Sequence, residues 1–388
     1  MSTLEVRGRL VLDTSVVMGR IRIEDDRISG VDLDGDPEQP AAAPAGGAES
    51  GDRALALIAP GLVDVHVHGW GGHDAMGSTD ALDGMARALL RRGVTSFLPT
   101  AVTAPLGDLR AFADRVRAWI PRAPGDGATP MGFNLEGPFL APARRGAHHP
   151  DHLALPEATA WAEIEPLVDG LRLITIAPEL DGGLGLIRRL SGLGVRVSLG
   201  HSAAELATAH AGYDAGATAT THLFNAMSGV AHRSPGLAVA ALTRDDAYVE
   251  LIADGVHVDP ALWPIVRRTK PRERLILVSD ALATAGTGTG DGRMSLGGLQ
   301  VEVRGARCTL PDGTLAGSVI ALDTAVRNMV ADGMDIVDAI SAASRNPLAM
   351  LGIEDRGRIS VGQRADLVEI GAGLVVRRVM RAGVWHPE

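Results

Sequence analysis

From about residue 60 to residue 280 the sequence alternates short apolar runs with longer stretches in which apolar side chains return every third or fourth position. A short apolar run reads as a buried strand, and the three-to-four spacing reads as one face of a helix. Eight runs have strand character, at 62–67, 94–99, 131–136, 171–177, 195–200, 217–222, 249–254 and 275–280. One intervening helix is fully legible: after Ser78 or Thr79 as cap, Leu82, Met85, Ala86, Leu89 and Leu90 fall on one face, Asp83, Arg87 and Arg91 on the other, and Gly93 stops it. Strands alternating with helices favour a parallel sheet. Eight such units over about 290 residues predict an α/β fold of the (β/α)8 TIM-barrel type. An open dinucleotide-binding sheet would carry GxGxxG after its first strand, and that motif is absent.

Both ends of the chain change period. Leu10-Val11-Leu12 and Gly19-Arg20-Ile21-Arg22-Ile23 near the start, and Ala365-Asp366-Leu367-Val368-Glu369-Ile370 and Val375-Val376-Arg377-Arg378-Val379-Met380 near the end, read as short antiparallel strands. They predict a small β-sandwich built from residues 1–57 and 353–388, flanking a barrel over 58–352. Residues 36–52, rich in Ala, Gly and Pro, read as a flexible surface loop.

With 388 residues, 46% of them apolar, the chain has material for a barrel and a smaller domain. A net charge of -10 and 3% aromatics, with no basic block backed by stacking residues, argue against nucleic acid as a partner. The N-terminus is polar and no run nears the ~18 apolar residues of a membrane span, so a cytoplasmic protein with no membrane partner is expected. Lys270 is the only lysine. In Arg267-Arg268-Thr269-Lys270-Pro271-Arg272 it reads as part of a solvated loop, which makes Schiff-base chemistry and a lysine bridge between metals improbable. Cys308 is also alone, so thiolate zinc sites, iron–sulfur clusters and internal disulfides are excluded.

The chemistry lies where polar residues meet strand ends. His66 and His68 follow the first run, Glu136 closes the third, His201 follows the fifth, His222 closes the sixth, His257 follows the seventh and Asp280 closes the eighth. In a barrel those positions converge on one mouth. A single strand-end His or Asp commonly caps the next helix, but seven at the same end do not read as caps. The period of two places His66 and His68 on one face, able to grip one cation. A His, Asp and Glu set without thiolate suits a divalent cation, and Asp280 beside it could bind the metal or take a proton from its water. Arg144-Arg145, His148-His149 and His232-Arg233 add cations in nearby loops, suited to an anionic group such as phosphate. Gly286-Thr287-Gly288-Thr289-Gly290 lacks the GK[ST] of a P-loop and reads as a flexible turn.

Pro60-Gly61-Leu62-Val63-Asp64-Val65-His66-Val67-His68-Gly69, Leu135-Glu136-Gly137-Pro138-Phe139-Leu140, Gly200-His201-Ser202, Thr221-His222-Leu223-Phe224-Asn225-Ala226-Met227, Asp254-Gly255-Val256-His257 and Leu315-Ala316-Gly317-Ser318 together resemble the amidohydrolase superfamily and, within it, the N-acetylglucosamine-6-phosphate deacetylases. The resemblance implies a metal-dependent hydrolase that removes an acetyl group from N-acetyl-D-glucosamine 6-phosphate. It implies a main zinc or iron site on Glu136, His201 and His222, and a second ion on His66 and His68 with Glu136 bridging and Asp280 nearby. It makes Asp280 the general base and then acid, and has His148 polarise the acetyl carbonyl. Asn225, Ala226, Arg233, His257 and Leu315 are implied contacts of the sugar phosphate, with Arg233 reaching the neighbouring subunit of a homodimer. Two alternatives stay open: an amidohydrolase of another substrate, either the galactosamine epimer or a cyclic amide, and a metal-free scaffold on the same barrel.

Overall fold

A computed structural model describes residues 3–34, 56–288 and 291–386. Eight parallel strands, Leu62–Val67, Val94–Ala101, Phe133–Glu136, Leu171–Ile176, Arg196–Leu199, Ala219–Thr220, Tyr248–Leu251 and Leu275–Leu277, pair in chain order with helices between them. They are barrel strands one to eight. Buried on both faces, they read as continuous apolar runs, and every position of Val94–Ala101 is buried. The ladder stops between strands one and eight, and bonds at or just past their ends close the ring. The Asp280 N–H donates to the His66 carbonyl at 2.9 Å, and the N–H groups of His68 and Gly69 both donate to the Ala281 carbonyl at 2.9 Å.

The helix Thr79–Leu90 forms as its sequence demands. The Ser78 hydroxyl accepts from the Ala81 N–H, and Leu82, Met85, Ala86, Leu89 and Leu90 are the side chains it buries. Two strand ends differ from expectation. Strand six stops at Thr220 and strand eight at Leu277, so His222 and Asp280 lie past the strands rather than closing them. The reason is local: His222 and Asp280 have φ of 27° and 49°, as does His201 at 47°, and left-handed backbone cannot continue a parallel ladder.

Strands from both ends of the chain join in one seven-stranded sheet, ordered Val384–His386, Val376–Arg381, Leu367–Ile370, Leu57–Pro60, Thr3–Val11, Val16–Glu24, Arg27–Leu33. Leu10, Ile21, Ile28, Ile58, Leu367 and Met380 give it a core of its own, and it fits the small sandwich domain expected. The loop read at 36–52 lies outside the described residues, as do Thr289 and Gly290 of the glycine-rich turn. A four-stranded antiparallel sheet that the sequence reading did not separate from the barrel follows strand eight: Gly292–Leu296, Leu299–Arg304, Arg307–Thr309 and Leu315–Gly317. Its signal was the two-residue Gly297-Gly298 link between Leu296 and Leu299. Among the described residues no helix is long and apolar enough to cross a membrane.

Lys270 is not in a solvated loop. It is 4% exposed, and its ammonium donates to the carbonyls of Ala241 (2.9 Å) and Arg244 at the C-terminal end of the helix Leu237–Thr243. The cation therefore sits at the negative end of a helix and satisfies carbonyls that have no partner within it. Burial pushes its pKa down to about 8. Lys270→Met should cost about 1–3 kcal/mol at pH 7, the penalty of stranded buried acceptors. Because the folded pKa lies below the unfolded one, the folded chain sheds its proton first, and wild-type stability should rise relative to the variant between pH about 8 and about 10. Denaturant melts of both proteins across that range check the slope.

Candidate active site

Glu136 ends strand three, and the turn after it sets where its carboxylate goes. Gly137 has φ 94°, and a Cβ there would lie 2.1 Å from the Thr103 hydroxyl, which itself donates to the Glu136 carbonyl at 2.9 Å. Only glycine fits that close approach. The carboxylate, 3% exposed, then meets five imidazoles. Its Oε1 lies 2.9 Å from His222 Nε2, 3.0 Å from His201 Nε2 and 3.5 Å from His66 Nε2. Its Oε2 lies 3.2 Å from the Nε2 of both His68 and His148. Asp280 Oδ1 adds contacts of 3.2 Å to His68 and 3.6 Å to His66.

The far side of each ring decides which Nε2 offers a lone pair. His66 Nδ1 faces Glu250 Oε2 at 3.1 Å, His68 Nδ1 faces the Thr100 carbonyl at 3.1 Å, and His201 Nδ1 faces the Arg144 carbonyl at 2.9 Å. All three partners are acceptors, so each Nδ1 carries hydrogen, and the neutral ring presents an Nε2 lone pair to Glu136 or Asp280. His148 is the reverse. The Thr103 N–H donates to its Nδ1 at 3.2 Å, so the neutral ring carries its proton on Nε2.

Lone pairs facing carboxylate oxygens at these distances require a cation between them, either protons or a metal. Two groups of donor atoms lie within 4.8 Å of one another, His66, His68 and Asp280, and Glu136, His148 and His201. The tautomers sharpen the second group. His148 offers N–H, whereas His222, with Nε2 2.9 Å from Glu136 Oε1 and 3.1 Å from His201 Nε2, stands where a ligand is needed. His66 Nε2, fully buried, has no hydrogen-bond partner among the described residues. Donor chemistry and the stranded nitrogen both fit a divalent cation.

Electrostatics agree. Burial would push Asp280 and Glu136 up, but hydrogen bonds and the field of His68, His66 and His148 hold both below the ordinary carboxylate range. Burial opposes a proton on His68, yet hydrogen bonds to Asp280 and Glu136 raise it to about 9. A field that favours protons favours a divalent cation in their place.

A cavity of about 420 Å³ opens on this cluster. Glu136, His148, His201, His222, His68 and Asp280 reach it, as do Asn225, Ala226, His257 and Leu315 from the expected set, the last from the inserted sheet. His257 is held by Asp254, with Nδ1 2.7 Å from Oδ2, and that bond raises its pKa against the effect of burial. Arg144 and Arg145 line the cavity as well. Arg233 does not; it is exposed on the 228–236 loop. Two buried acids in the site were not singled out by sequence. Asp64 accepts from the N–H groups of His66 (3.3 Å) and Ser279 (3.4 Å), and burial raises it to about 6. Glu250, on strand seven, braces His66. Their signal was a carboxylate inside an apolar barrel strand, in phase with inward-facing neighbours.

The Amidohydrolase family model matches residues 57–385. The chain belongs to the amidohydrolase family. In this amidohydrolase His66 lies on strand one and His68 just past it, and Asp280 follows strand eight. It is 40% identical over 339 residues to an N-acetylgalactosamine-6-phosphate deacetylase of Escherichia coli O157:H7, covering 86% of this chain and 88% of the relative. It is 40% identical over 360 residues to an N-acetylglucosamine-6-phosphate deacetylase of Bos taurus, covering 88% and 86%. Its structure is similar, with TM-score 0.87 and 34% identity over 99% of both chains, to a mutant N-acetyl-D-glucosamine-6-phosphate deacetylase from Mycobacterium smegmatis in complex with N-acetyl-D-glucosamine-6-phosphate.

Stripping this amidohydrolase with a chelator should lower its thermal midpoint. Restoring zinc at about 100 times its dissociation constant should return about 2.7 kcal/mol, since the ion binds the folded chain preferentially. Calorimetry with and without added metal reads the difference; identical melts would count against a metal on these side chains.

Proposed function

We propose that the chain is a metal-dependent enzyme that hydrolyses the acetamide of N-acetyl-D-glucosamine 6-phosphate, releasing acetate and D-glucosamine 6-phosphate. One observation carries the reading: a buried carboxylate, Asp280, and an imidazole with its proton on Nε2, His148, flank the same Glu136-centred cluster and line one cavity. The deacetylase relatives support it. Glu136, His201 and His222 would hold the main ion. His66 and His68 would hold a second, sharing Glu136 and with Asp280 nearby. Zinc or iron suits these ligands. When bound, the cation supplies Lewis acidity toward the carbonyl oxygen and a lowered pKa for water.

The chain's own groups do the rest. Asp280 accepts a proton as water adds to the acetyl carbon and returns it to the nitrogen as the C–N bond breaks, so acetate and a free amine leave. His148 donates its Nε2 hydrogen to the carbonyl oxygen, where negative charge grows. His257, charged more readily because of Asp254, attracts the phosphate, and Asn225, Ala226 and Leu315 shape the space around the sugar. Arg233, exposed in its own chain, reaches the phosphate of the neighbouring subunit in a homodimer.

The galactosamine epimer is a second reading, favoured by the 40% identical relative that bears that name. A cyclic amide is less favoured: strand four is followed by Ala177-Pro178-Glu179, with no lysine to bridge two ions, and Glu179 spends its carboxylate on the Ser202 hydroxyl (2.7 Å) and the Ala203 N–H. Acetate release from both 6-phosphate epimers, with metal measured on the same sample, decides between these substrates. No release from either, or no bound metal, would leave a scaffold.

Asp280→Asn should cut turnover by about 10²–10⁴-fold while metal stays bound. Near-normal turnover would remove Asp280 from the reaction. Arg233→Ala should raise KM for the 6-phosphate about tenfold or more, the loss of a charged hydrogen bond, with little change in kcat. Sedimentation should give a dimer mass, and an unchanged KM would exclude the cross-subunit contact.

A further inference from the structure

Glu250 is a carboxylate where a barrel strand is otherwise apolar. It is 0% exposed on strand seven, Tyr248–Leu251, and no cation of Lys or Arg is bonded to it among the described residues. Its Oε2 lies 3.1 Å from His66 Nδ1 and accepts the His222 backbone N–H at 3.3 Å, while Oε1 has no hydrogen-bond partner there. A buried carboxylate without a paired charge is costly, and among the described residues the only titratable side chain bonded to this one is an imidazole whose opposite nitrogen faces Glu136 and Asp280.

We infer that Glu250 is a positioning residue that builds the second metal site from behind. By accepting the Nδ1 hydrogen it fixes the His66 tautomer, aims the Nε2 lone pair at the space shared with Glu136 and Asp280, and makes that nitrogen a stronger donor. Its negative charge is compensated one ring away by the cation that His66 grips. The bond to the His222 N–H carries the same brace to the main site. That N–H belongs to a residue with φ 27°, a backbone conformation that needs holding. Strand seven thus secures one ligand of each ion without touching either.

The inference rests on the two-ion reading above, and cobalt(II) titration of chelator-stripped full-length protein, followed by visible absorption and by metal content, separates the two. Wild type should take up two equivalents. Glu250→Gln keeps an oxygen acceptor and removes the charge; it should weaken the second equivalent by about 10–100-fold and leave the first within a few-fold. In a His66→Ala background the same change should have no further effect on cobalt binding, because Glu250 acts through that ring. Glu250→Leu should lose the second equivalent altogether; should it fail to fold, the glutamine variant carries the comparison. Fewer than two equivalents in wild type overturns the two-ion reading and this inference with it. Two equivalents of equal affinity in wild type and Glu250→Gln, or an equal extra loss in the His66→Ala background, overturns the inference alone.

Discussion

Two oxygens of Glu136 within 3.5 Å of five imidazole nitrogens, in a residue 3% exposed, form the contact around which the rest is arranged. Taking one carboxylate out of water costs several kcal/mol unless positive charge and hydrogen bonds replace the solvent. Here Asp280 doubles the negative charge, and the neutral forms of His66, His68 and His201 present lone pairs to it rather than protons. The cluster is satisfied by protons or by a divalent cation, and on the mechanism proposed above only the cation leaves Asp280 free to exchange a proton with substrate. That difference turns a buried polar cluster into a hydrolytic centre.

Delivering those side chains has a backbone cost. His201, His222 and Asp280 all leave their strands in left-handed conformation, each worth roughly 1–3 kcal/mol of strain. The barrel holds them there through specific bonds. Asp280 is pinned by the His66 carbonyl, His222 by Glu250, and His201 by the Arg144 carbonyl on its ring. The same bonds set tautomers and close the gap between strands one and eight. Fold closure and ligand geometry are therefore not separate achievements of the sequence.

What was legible in the sequence follows from range. The helix Thr79–Leu90 was legible in its buried face and to within a residue at its cap, because both are local facts. The strands were legible as apolar runs, and the ligands as polar residues at the ends of those runs. Lys270 was misread because its partners, the carbonyls of Ala241 and Arg244, lie more than 25 positions away. The inserted sheet was merged with the barrel because its strands are short and half exposed, which weakens alternation. Glu250 and Asp64 were legible only as carboxylates inside apolar barrel strands; that Glu250 braces a histidine depends on His66, 184 positions away. The direction of the His148 tautomer depends on one N–H from Thr103, and no pattern in the sequence encodes it.

The inserted sheet gains a meaning from its attachment. The Ser318 N–H donates to the Asp280 carbonyl at 2.8 Å, its hydroxyl donates to the Ser279 carbonyl, and Leu282 packs in the core of that sheet with Leu296 and Val301. The strand Leu315–Gly317 runs directly into this anchor and lines the cavity, as Leu296 does from the first hairpin. Gly317, at φ 133°, lies where a Cβ would meet the Leu282 side chain at 2.8 Å and the Asp280 carbonyl at 3.0 Å, so the two segments are as close as backbones allow. The cavity wall and the carboxylate proposed to move the proton are therefore bonded to one another directly. On the proposed mechanism, one stretch of chain would thus shape the sugar site and hold the proton carrier, a direct route by which a poorly fitting sugar would slow the chemistry.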